Sequence, residues 1–362
     1  MTSCEVTLIA SKSAPVARVA AGLDSTLSKH CTVVAKDPLE PPNSTDLNIH
    51  VGVPVYVYMP WATVNIFIKD SNYTAEWDSY MPRFDLVIDE ADVESRIQDI
   101  LNLLKNPERQ TLPPAAEVLP PISIVTLMYN RPAFFDLACH NIMVSDYPKG
   151  KIEWIIVDDS DTDSAAEQIR AVAERSNSIK MVYVQLDKRH TVSQKRNLGV
   201  EKATADIVLM MDDDDHYPET SIRRRVSWLT VHPWAPKAVC ATTIACYDLV
   251  RGISAVNTPP LTLSLGKRAS EATLTFYKSW WAERQFQEGV QVGEAEGFID
   301  GRAGDVLEIP PQQIIVAFSH GKNVSGRRVP SGVDVKPGCF WGFPKEFLVF
   351  IHGLAGIQVK CE

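Results

Sequence analysis

The chain has 362 residues, of which 45% are hydrophobic and 22% charged, a balance typical of a globular protein with room for two domains. Its net charge of −9 argues against general binding to nucleic acid, so we expect no nucleic-acid partner. The cysteines number 7, an odd count without a CxxC pair, which favours free thiols in a reducing compartment.

Neither end of the sequence predicts a targeting or membrane segment. The start lacks the basic region and the long apolar core of a signal peptide. The longest late apolar stretch, residues 347–359, is too short to cross a bilayer and contains His352. We therefore expect a cytoplasmic protein that is not secreted and has no membrane span.

Residues 1–111 predict an N-terminal α/β accessory domain. Short apolar runs typical of strands lie at residues 5–10, 32–35, 47–51, 64–68 and 84–88. Helical spacing occurs at residues 16–27 and 91–104. Strands that alternate with helices favour a parallel sheet. The region has no glycine-rich phosphate loop, and no chemistry is assigned to it.

Residues 112–121 hold four prolines and predict an extended linker. The domain that follows spans residues 122–342, and residues 343–362 are expected to form a C-terminal tail. Its first half alternates predicted strands with predicted helices. The strands are residues 122–127, 153–157, 181–184 and 205–209, and the helices are residues 132–144, 165–175 and 191–202. In such open sheets ligands bind at the carboxyl ends of the strands.

Four consecutive carboxylates, Asp212, Asp213, Asp214 and Asp215, follow the last of these strands. We call them the aspartate cluster. Like charges at the end of a buried strand repel one another unless a cation is bound, and oxygen ligands suit Mg²⁺ or Mn²⁺. A solvated acidic loop is the alternative. An EF-hand loop is excluded. Counted from Asp212, its sixth and twelfth positions, which require Gly and Glu, hold Tyr217 and Arg223.

Two other polar groups lie at the same predicted edge. Asp158 and Asp159 end a strand, where one could accept a hydrogen bond from a base or ribose or could cap a helix. Lys195 and Arg196 could neutralise a phosphate or lie on an exposed helix surface. The run from Arg223 to Arg225 is interpreted as a solvated helix face.

Taken together, residues 122–132, 154–160, 194–199 and 208–218 resemble, in order and spacing, family-2 glycosyltransferases of the GT-A fold. The resemblance covers residues 120–340 and implies a Rossmann-like mixed sheet that binds a nucleotide sugar. The segments around Glu271, Gly293 and His320 are also similar to glycosyltransferases encoded by large DNA viruses.

The resemblance implies a role for each matching residue. The implied nucleotide-binding residues are Thr126, Tyr129, Arg131, Asp158, Asp159, Lys195, Arg196, Asp212 and Asp213. The implied metal ligands are Asp212, Asp214, Asp215 and His320. Arg327 and Arg328 are candidates for covering the diphosphate. The general base is expected in Glu294-Ala295-Glu296, with Glu296 slightly favoured over Glu294. One of Trp280 and Trp281 could stack on an acceptor sugar, while the other is expected in the core.

These features predict a metal-dependent, inverting glycosyltransferase. It would use Mn²⁺ or Mg²⁺ and a UDP- or GDP-sugar donor, with a hydroxyl of a glycan or glycoprotein as acceptor. Two alternatives stay open. One is a nucleotidyltransferase, although residues 126–132 lack the glycine of a phosphate loop. The other is a carbohydrate-binding scaffold with a degenerate transferase domain.

Overall fold

The computed structural model describes a defined part of the chain. The described residues are 5–10, 22–23, 25, 27–29, 32–36, 45–51, 62–71, 73, 81, 84–105, 119–162, 164–175, 178–232, 235–260, 262–309, 311, 313–321, 323, 338–339 and 341–357. The chain divides into two compact units, Met1–Gln110 and Thr111–Glu362. None of the helices within the described residues has the length and apolar character that crossing a bilayer requires.

The first unit is built on a five-stranded sheet in the order β2-β1-β3-β4-β5. Its strands are β1 (Glu5–Ala10), β2 (Thr32–Lys36), β3 (Thr45–Val51), β4 (Ala62–Lys69) and β5 (Leu86–Asp89). Every pairing is parallel, which confirms the predicted parallel sheet. The predicted helix at residues 16–27 lies largely outside the described residues, although 22, 23, 25 and 27 are helical.

Apolar side chains of β3 and β4 form the core of the first unit. Ile49, Val51, Ile66 and Ile68 alternate along their strands and are fully buried. Helix α1 (Ile97–Lys105) contributes the buried Ile100 to the same cluster. It begins later than predicted because a 3₁₀ turn, Glu90–Asp92, and further turns precede it.

The second unit contains a seven-stranded sheet in the order β14-β10-β13-β9-β6-β7-β8. These strands are β6 (Ile122–Met128), β7 (Ile152–Asp158), β8 (Lys180–Gln185), β9 (Ile207–Met210), β10 (Ala238–Cys240), β13 (Thr275–Tyr277) and β14 (Val306–Glu308). Its helices are α2 (Phe135–Val144), α3 (Ala166–Arg175), α4 (Val192–Lys202), α5 (Ser221–Thr230), α6 (Leu265–Arg268), α7 (Lys278–Glu283), α8 (Glu294–Ile299) and α9 (Lys345–Leu354).

The large sheet is mixed, because β13 runs antiparallel to both of its neighbours while the other pairs are parallel. Alternate residues of its strands belong to two different apolar clusters. Ile122 and Ile124 of β6 pack in one cluster, whereas Val125 and Leu127 pack in the other. Both faces of the sheet are therefore buried, as the continuous apolar runs predict.

A smaller sheet in the order β12-β11-β15 completes the second unit. Its strands are β11 (Ile244–Asp248), β12 (Ile253–Asn257) and β15 (Val316–Ser319). Strand β15 begins at Val316, after Gln313 turns the chain with a φ of 55°. Helix α9 lies within the predicted tail, yet it packs in this unit: the His352 ring nitrogen is 3.1 Å from the hydroxyl of Tyr247.

Candidate active site

The candidate site lies at the carboxyl edge of the large sheet. Strands β9, β6 and β7 are neighbours and parallel, so Met210, Met128 and Asp158 end at the same edge. A cavity opens there. Its lining residues are Leu127, Met128, Tyr129, Arg131, Arg189, Val192, Lys195, Arg196, Asp212, Asp214, Gln291, Val292, Gly293, Glu294 and Asn323.

The aspartate cluster brings three carboxylates together. Asp212, Asp214 and Asp215 each offer an oxygen atom, and these atoms all lie within 4.8 Å of one another. Asp214 is 6% exposed and Asp215 1% exposed, so little water can separate the charges. Several carboxylate oxygens at this spacing fit the ligand preference of Mg²⁺ or Mn²⁺. The residues present therefore fit the predicted cation.

Backbone and side-chain hydrogen bonds hold the cluster in place. The hydroxyl of Tyr217 accepts from the Asp212 amide at 2.8 Å. The Phe318 amide of β15 donates to Asp215 Oδ1 at 2.9 Å. Asn141 of α2 donates to the Asp215 carbonyl at 2.8 Å. Helix α2, strand β15 and the nearby Tyr217 thus hold the cluster in position.

The prediction that Arg223 to Arg225 form a solvated helix face is wrong for Arg225. Its side chain is completely buried, and it donates to the carbonyls of Met210 at 2.9 Å and Leu274 at 2.7 Å. In contrast, Arg223 is part-exposed and pairs with Asp146 at 2.7 Å. Neighbouring residues of a helix point in different directions, so α5 turns only Arg225 toward the sheet. It thereby holds the end of β9, directly before the aspartate cluster.

Arg131 lies against the cluster. Its guanidinium donates to Asp213 Oδ1 at 2.6 Å and also to Asp214 Oδ2. Burial acts to lower the pKa of Arg131, but the neighbouring aspartates, led by Asp213 and Asp214, raise it above its ordinary value. The side chain therefore stays charged, and it is only 13% exposed. The structure places this predicted nucleotide-binding residue beside two carboxylates.

His320 contacts the cluster through a single carboxylate. Its Nε2 lies 3.0 Å from Asp214 Oδ2, and its ring stacks on Phe134 with centroids 4.4 Å apart. Asn323 donates to the same Asp214 oxygen at 3.2 Å. The three mutually close oxygen ligands do not include His320. The structure thus places His320 next to a candidate ligand, and it adds Asn323, which the sequence did not indicate.

Helix α4 carries Lys195 and Arg196 into the site. It begins with a capping box in which the Thr191 side chain and Gln194 bond to each other's backbone amides. Lys195 Nζ donates to Asp159 Oδ1 at 2.6 Å and to the Met128 carbonyl at 3.0 Å. Arg196 is 3% exposed, so the alternative of an exposed helix surface is wrong for it. Both cations line the cavity.

Three other predicted residues, Thr126, Asp158 and Asp159, do not line the cavity. The Thr126 hydroxyl accepts from the Trp154 indole at 2.9 Å. Asp158 accepts from the Tyr183 hydroxyl at 2.9 Å and Asp159 from the His190 amide at 2.9 Å. Both carboxylates are 1% exposed and neither lines the cavity. Asp159 nevertheless accepts a hydrogen bond from Lys195, which does line the cavity.

Glu294 and Glu296 occupy different environments. Glu294 is 4% exposed, lines the cavity and accepts from Arg196 Nε at 2.6 Å. Glu296 is 52% exposed and lies 3.3 Å from Lys267 on the surface. Glu271, to which the sequence assigned no role, is near Glu294, and burial raises its pKa with a further contribution from that charge. The structure thus brings Glu294, rather than Glu296, to the aspartate cluster.

Tyr129 and Arg189 form a cation–aromatic pair at the cavity. The Arg189 guanidinium carbon lies 3.1 Å from the centre of the Tyr129 ring. Arg189 also approaches Asp159 at 3.8 Å and is 39% exposed. The sequence did not single out Arg189, since it lies in a loop with no recognisable pattern. Its presence makes the cavity more positive than predicted.

The two tryptophans of α7 do not offer a surface on which an acceptor sugar could stack. Trp280 is 1% exposed and Trp281 is 6% exposed. Their indole nitrogens donate to Asp305 and Asn197, both at 3.0 Å. The prediction that one of them stacks on a sugar is therefore wrong, because both are in the core. Arg327 and Arg328 lie outside the described residues.

Comparisons with known proteins agree with this geometry. Residues 123–277 match the model of the family described as "Glycosyl transferase family 2". An "Uncharacterized glycosyltransferase" of Haemophilus influenzae is 24% identical over 111 residues, which cover 31% of this chain and 43% of the relative. "Poly(ribitol-phosphate) beta-N-acetylglucosaminyltransferase TarS" of Staphylococcus aureus is 23% identical over 111 residues, which cover 30% of this chain and 19% of the relative.

Among solved structures, similarity is found to the "Mannosyltransferase PcManGT from Pyrobaculum calidifontis in complex with GDP-Man and Mn2+". Its TM-score is 0.45 at 17% identity, over 63% of this chain and 65% of that chain. The chain spans less than half the length of both curated relatives. The family match, together with the mixed seven-stranded sheet, confirms the predicted GT-A fold. Over residues 123–277, which carry Lys195, Arg196 and the aspartate cluster, this chain is thus similar to Glycosyl transferase family 2.

Proposed function

We propose that the second unit transfers a sugar from a nucleotide diphosphate sugar to a hydroxyl of a glycan or glycoprotein, with inversion at the anomeric carbon. One observation carries this proposal: the aspartate cluster, Lys195, Arg196 and Glu294 meet around one cavity at the carboxyl edge of the sheet. The match of residues 123–277 to a glycosyltransferase family supports the same class of reaction.

The cations around the cavity suit a diphosphate. Arg131, Arg189 and Lys195 all line it, and arginine forks match the oxygens of a phosphate group. Charges fixed in this way stabilise a leaving group whose negative charge grows as its bond to the sugar breaks. The Tyr129 ring at the same cavity offers a surface on which a nucleobase can stack once Arg189 moves aside.

Asp212, Asp214 and Asp215 would hold a divalent ion, Mn²⁺ or Mg²⁺. When bound, such an ion acts as a Lewis acid that stabilises charge on the departing diphosphate. His320 and Asn323 would orient Asp214 through their contacts with its Oδ2 atom. We propose Mn²⁺ or Mg²⁺ as the ion and a UDP- or GDP-sugar as the donor.

Glu294 is the residue that we propose as general base. It would take the proton of the acceptor hydroxyl as that oxygen bonds to the anomeric carbon and the bond to the diphosphate breaks. A general base must reach the hydroxyl directly or through one water, and Glu294 lines the cavity. Arg196 holds the carboxylate of Glu294 and also lies 3.5 Å from Asp212. It thereby ties the base to the metal site.

The test uses the full chain with Mn²⁺ and a panel of UDP- and GDP-sugars. We expect release of a nucleoside diphosphate and, by calorimetry, binding of UDP or GDP that requires the metal. Asp214→Asn should abolish the metal-dependent binding, whereas Asp300→Asn, at an exposed position of the same unit, should leave it unchanged. No turnover together with no metal-dependent nucleotide binding would refute the proposal.

Other outcomes would favour the alternatives. Sugar binding that needs neither metal nor nucleotide would favour a carbohydrate-binding scaffold. Transfer of a nucleotidyl group from a nucleoside triphosphate would favour a nucleotidyltransferase. A cytoplasmic location and the resemblance to enzymes of large DNA viruses stay predictions from the sequence.

A further inference from the structure

Arg131 occupies an unusual position for a residue that is expected to meet a nucleotide. Its two terminal nitrogens bridge Asp213 and Asp214, so its charge faces the carboxylates and not only the cavity. Asp213 is 0% exposed, and a buried carboxylate is unfavourable without a counter-charge. Within the described residues, Arg131 is the basic side chain that makes an ion pair with Asp213.

The same position conflicts with a bound cation. Asp214 is one of the three aspartates whose oxygens lie close enough to share a metal ion, and Arg131 donates to Asp214 Oδ2. His320 and Asn323 also contact that oxygen, at 3.0 and 3.2 Å. A divalent ion at this cluster would be repelled by a guanidinium that is bound to one of its ligands. The repulsion is strong because both groups are shielded from water.

A diphosphate offers Arg131 another partner. The side chain lines the cavity together with Arg189 and Lys195, where the proposed nucleotide would place its phosphates. Phosphate oxygens accept both N–H groups of an arginine fork as well as carboxylates do. Arg131 can therefore exchange the carboxylate of Asp214 for a phosphate, and Asp214 then becomes available to a metal.

We propose that Arg131 is an exchangeable counter-ion of the aspartate cluster, which opposes metal binding until a nucleoside diphosphate draws the guanidinium away. The inference rests on the proposed function for the metal and for the diphosphate. It makes the two ligands bind cooperatively: each raises the affinity for the other by the same factor, as thermodynamic linkage requires.

The experiment measures Mn²⁺ binding to the full chain by electron paramagnetic resonance, with and without saturating UDP or GDP. In the wild type we expect weak Mn²⁺ binding alone and tighter binding with the nucleotide. Arg131→Gln should bind Mn²⁺ alone roughly tenfold or more tightly than the wild type, and the nucleotide should raise its Mn²⁺ affinity by a smaller factor than in the wild type. Arg223→Gln is the control, since it removes a guanidinium of the same unit that pairs with Asp146 and does not line the cavity. It should keep the wild-type ratio.

A second variant separates folding from binding. Arg131→Gln could unfold the site because Asp213 would lose its ion pair, and circular dichroism will show this. Arg131→Lys keeps the charge but cannot bridge two carboxylates, so we expect intermediate Mn²⁺ affinity and a larger stabilisation by Mn²⁺ than in the wild type. Folded variants with wild-type Mn²⁺ affinity and coupling would overturn this inference alone. If neither wild type nor variants bind Mn²⁺ under any condition, the proposed metal site fails as well.

Discussion

At the scale of single residues, Glu294 and Glu296 show how a helix separates two similar side chains. They are two positions apart at the start of α8, so they point in different directions. The sequence indicates that one of them faces the site but not which of the two. The family resemblance leaves the position of the base ambiguous, with Glu296 slightly favoured. The ion pair between Glu294 and Arg196 reverses that preference in our proposal.

The two glutamates give a matched pair of variants. We expect Glu294→Gln to lower kcat by at least about 100-fold, since general base catalysis usually contributes that much or more. Binding of the nucleotide should change far less than kcat. Glu296→Gln, at an exposed position, should keep turnover within about twofold of wild type. Steady-state release of the nucleoside diphosphate measures both. Loss of turnover in Glu296→Gln, with normal turnover in Glu294→Gln, would reassign the base.

At the scale of elements, the strands and helices that carry the site were predictable. Strands β6, β7 and β9 are continuous apolar runs, and helix α4 (Val192–Lys202) matches the helix predicted at residues 191–202. Strand β13 could not be predicted to run antiparallel, because its three residues carry no signal of direction. The burial of both tryptophans of α7 also depends on partners distant in sequence, Asn197 and Asp305.

Gly199 sets how closely α4 approaches the sheet. A Cβ atom on Gly199 would lie 2.4 Å from Cγ1 of Val125 in β6, a side chain in the buried core. Gly199→Ala should therefore destabilise the second unit by roughly 1–3 kcal/mol, as overpacking usually does. The helical preference of alanine returns at most about 1 kcal/mol. A shift of α4 would also displace Lys195 and Arg196, so nucleotide affinity should fall.

Urea unfolding and calorimetry with the nucleotide measure these two effects. Gly150→Ala is the matched control, since a Cβ there would meet no atom within 4 Å. Its stability should stay within about 0.5 kcal/mol of wild type. Equal stability of Gly199→Ala and wild type would show that the helix and the sheet have room to separate.

At the scale of the whole molecule, the chain consists of two compact units, and they differ in whether they carry candidate site residues. The second unit holds all the candidate catalytic and ligand-binding residues within the described part of the chain. The first unit was predicted as a parallel α/β domain, and its sheet has that topology. What the sequence could not show is a buried titratable group in its core. His50 lies in β3 between the apolar residues Ile49 and Val51. Only the packing of the folded unit reveals that His50 is 0% exposed.

His50 makes the stability of the first unit depend on pH. Burial lowers its pKa to about 4, against a smaller opposing contribution from Asn65. An unfolded histidine has a pKa of about 6.5, so the unfolded chain binds more protons between these two values. Stability is therefore complete above about pH 6.5 and is lost as the pH falls toward 4. At about pH 5 the loss should reach roughly 2 kcal/mol.

Because other groups titrate in the same range, the prediction concerns a difference between two proteins. In His50→Gln the side chain has no charge to gain, so that part of the pH dependence should disappear. Hydrogen-exchange mass spectrometry in urea, at about pH 7 and about pH 5, follows the peptides of β3 and so reports on the first unit. We expect the wild type to lose more protection than His50→Gln on acidification. The same loss in both proteins would mean that His50 is protonated in place, with its ring reaching solvent or a charged partner.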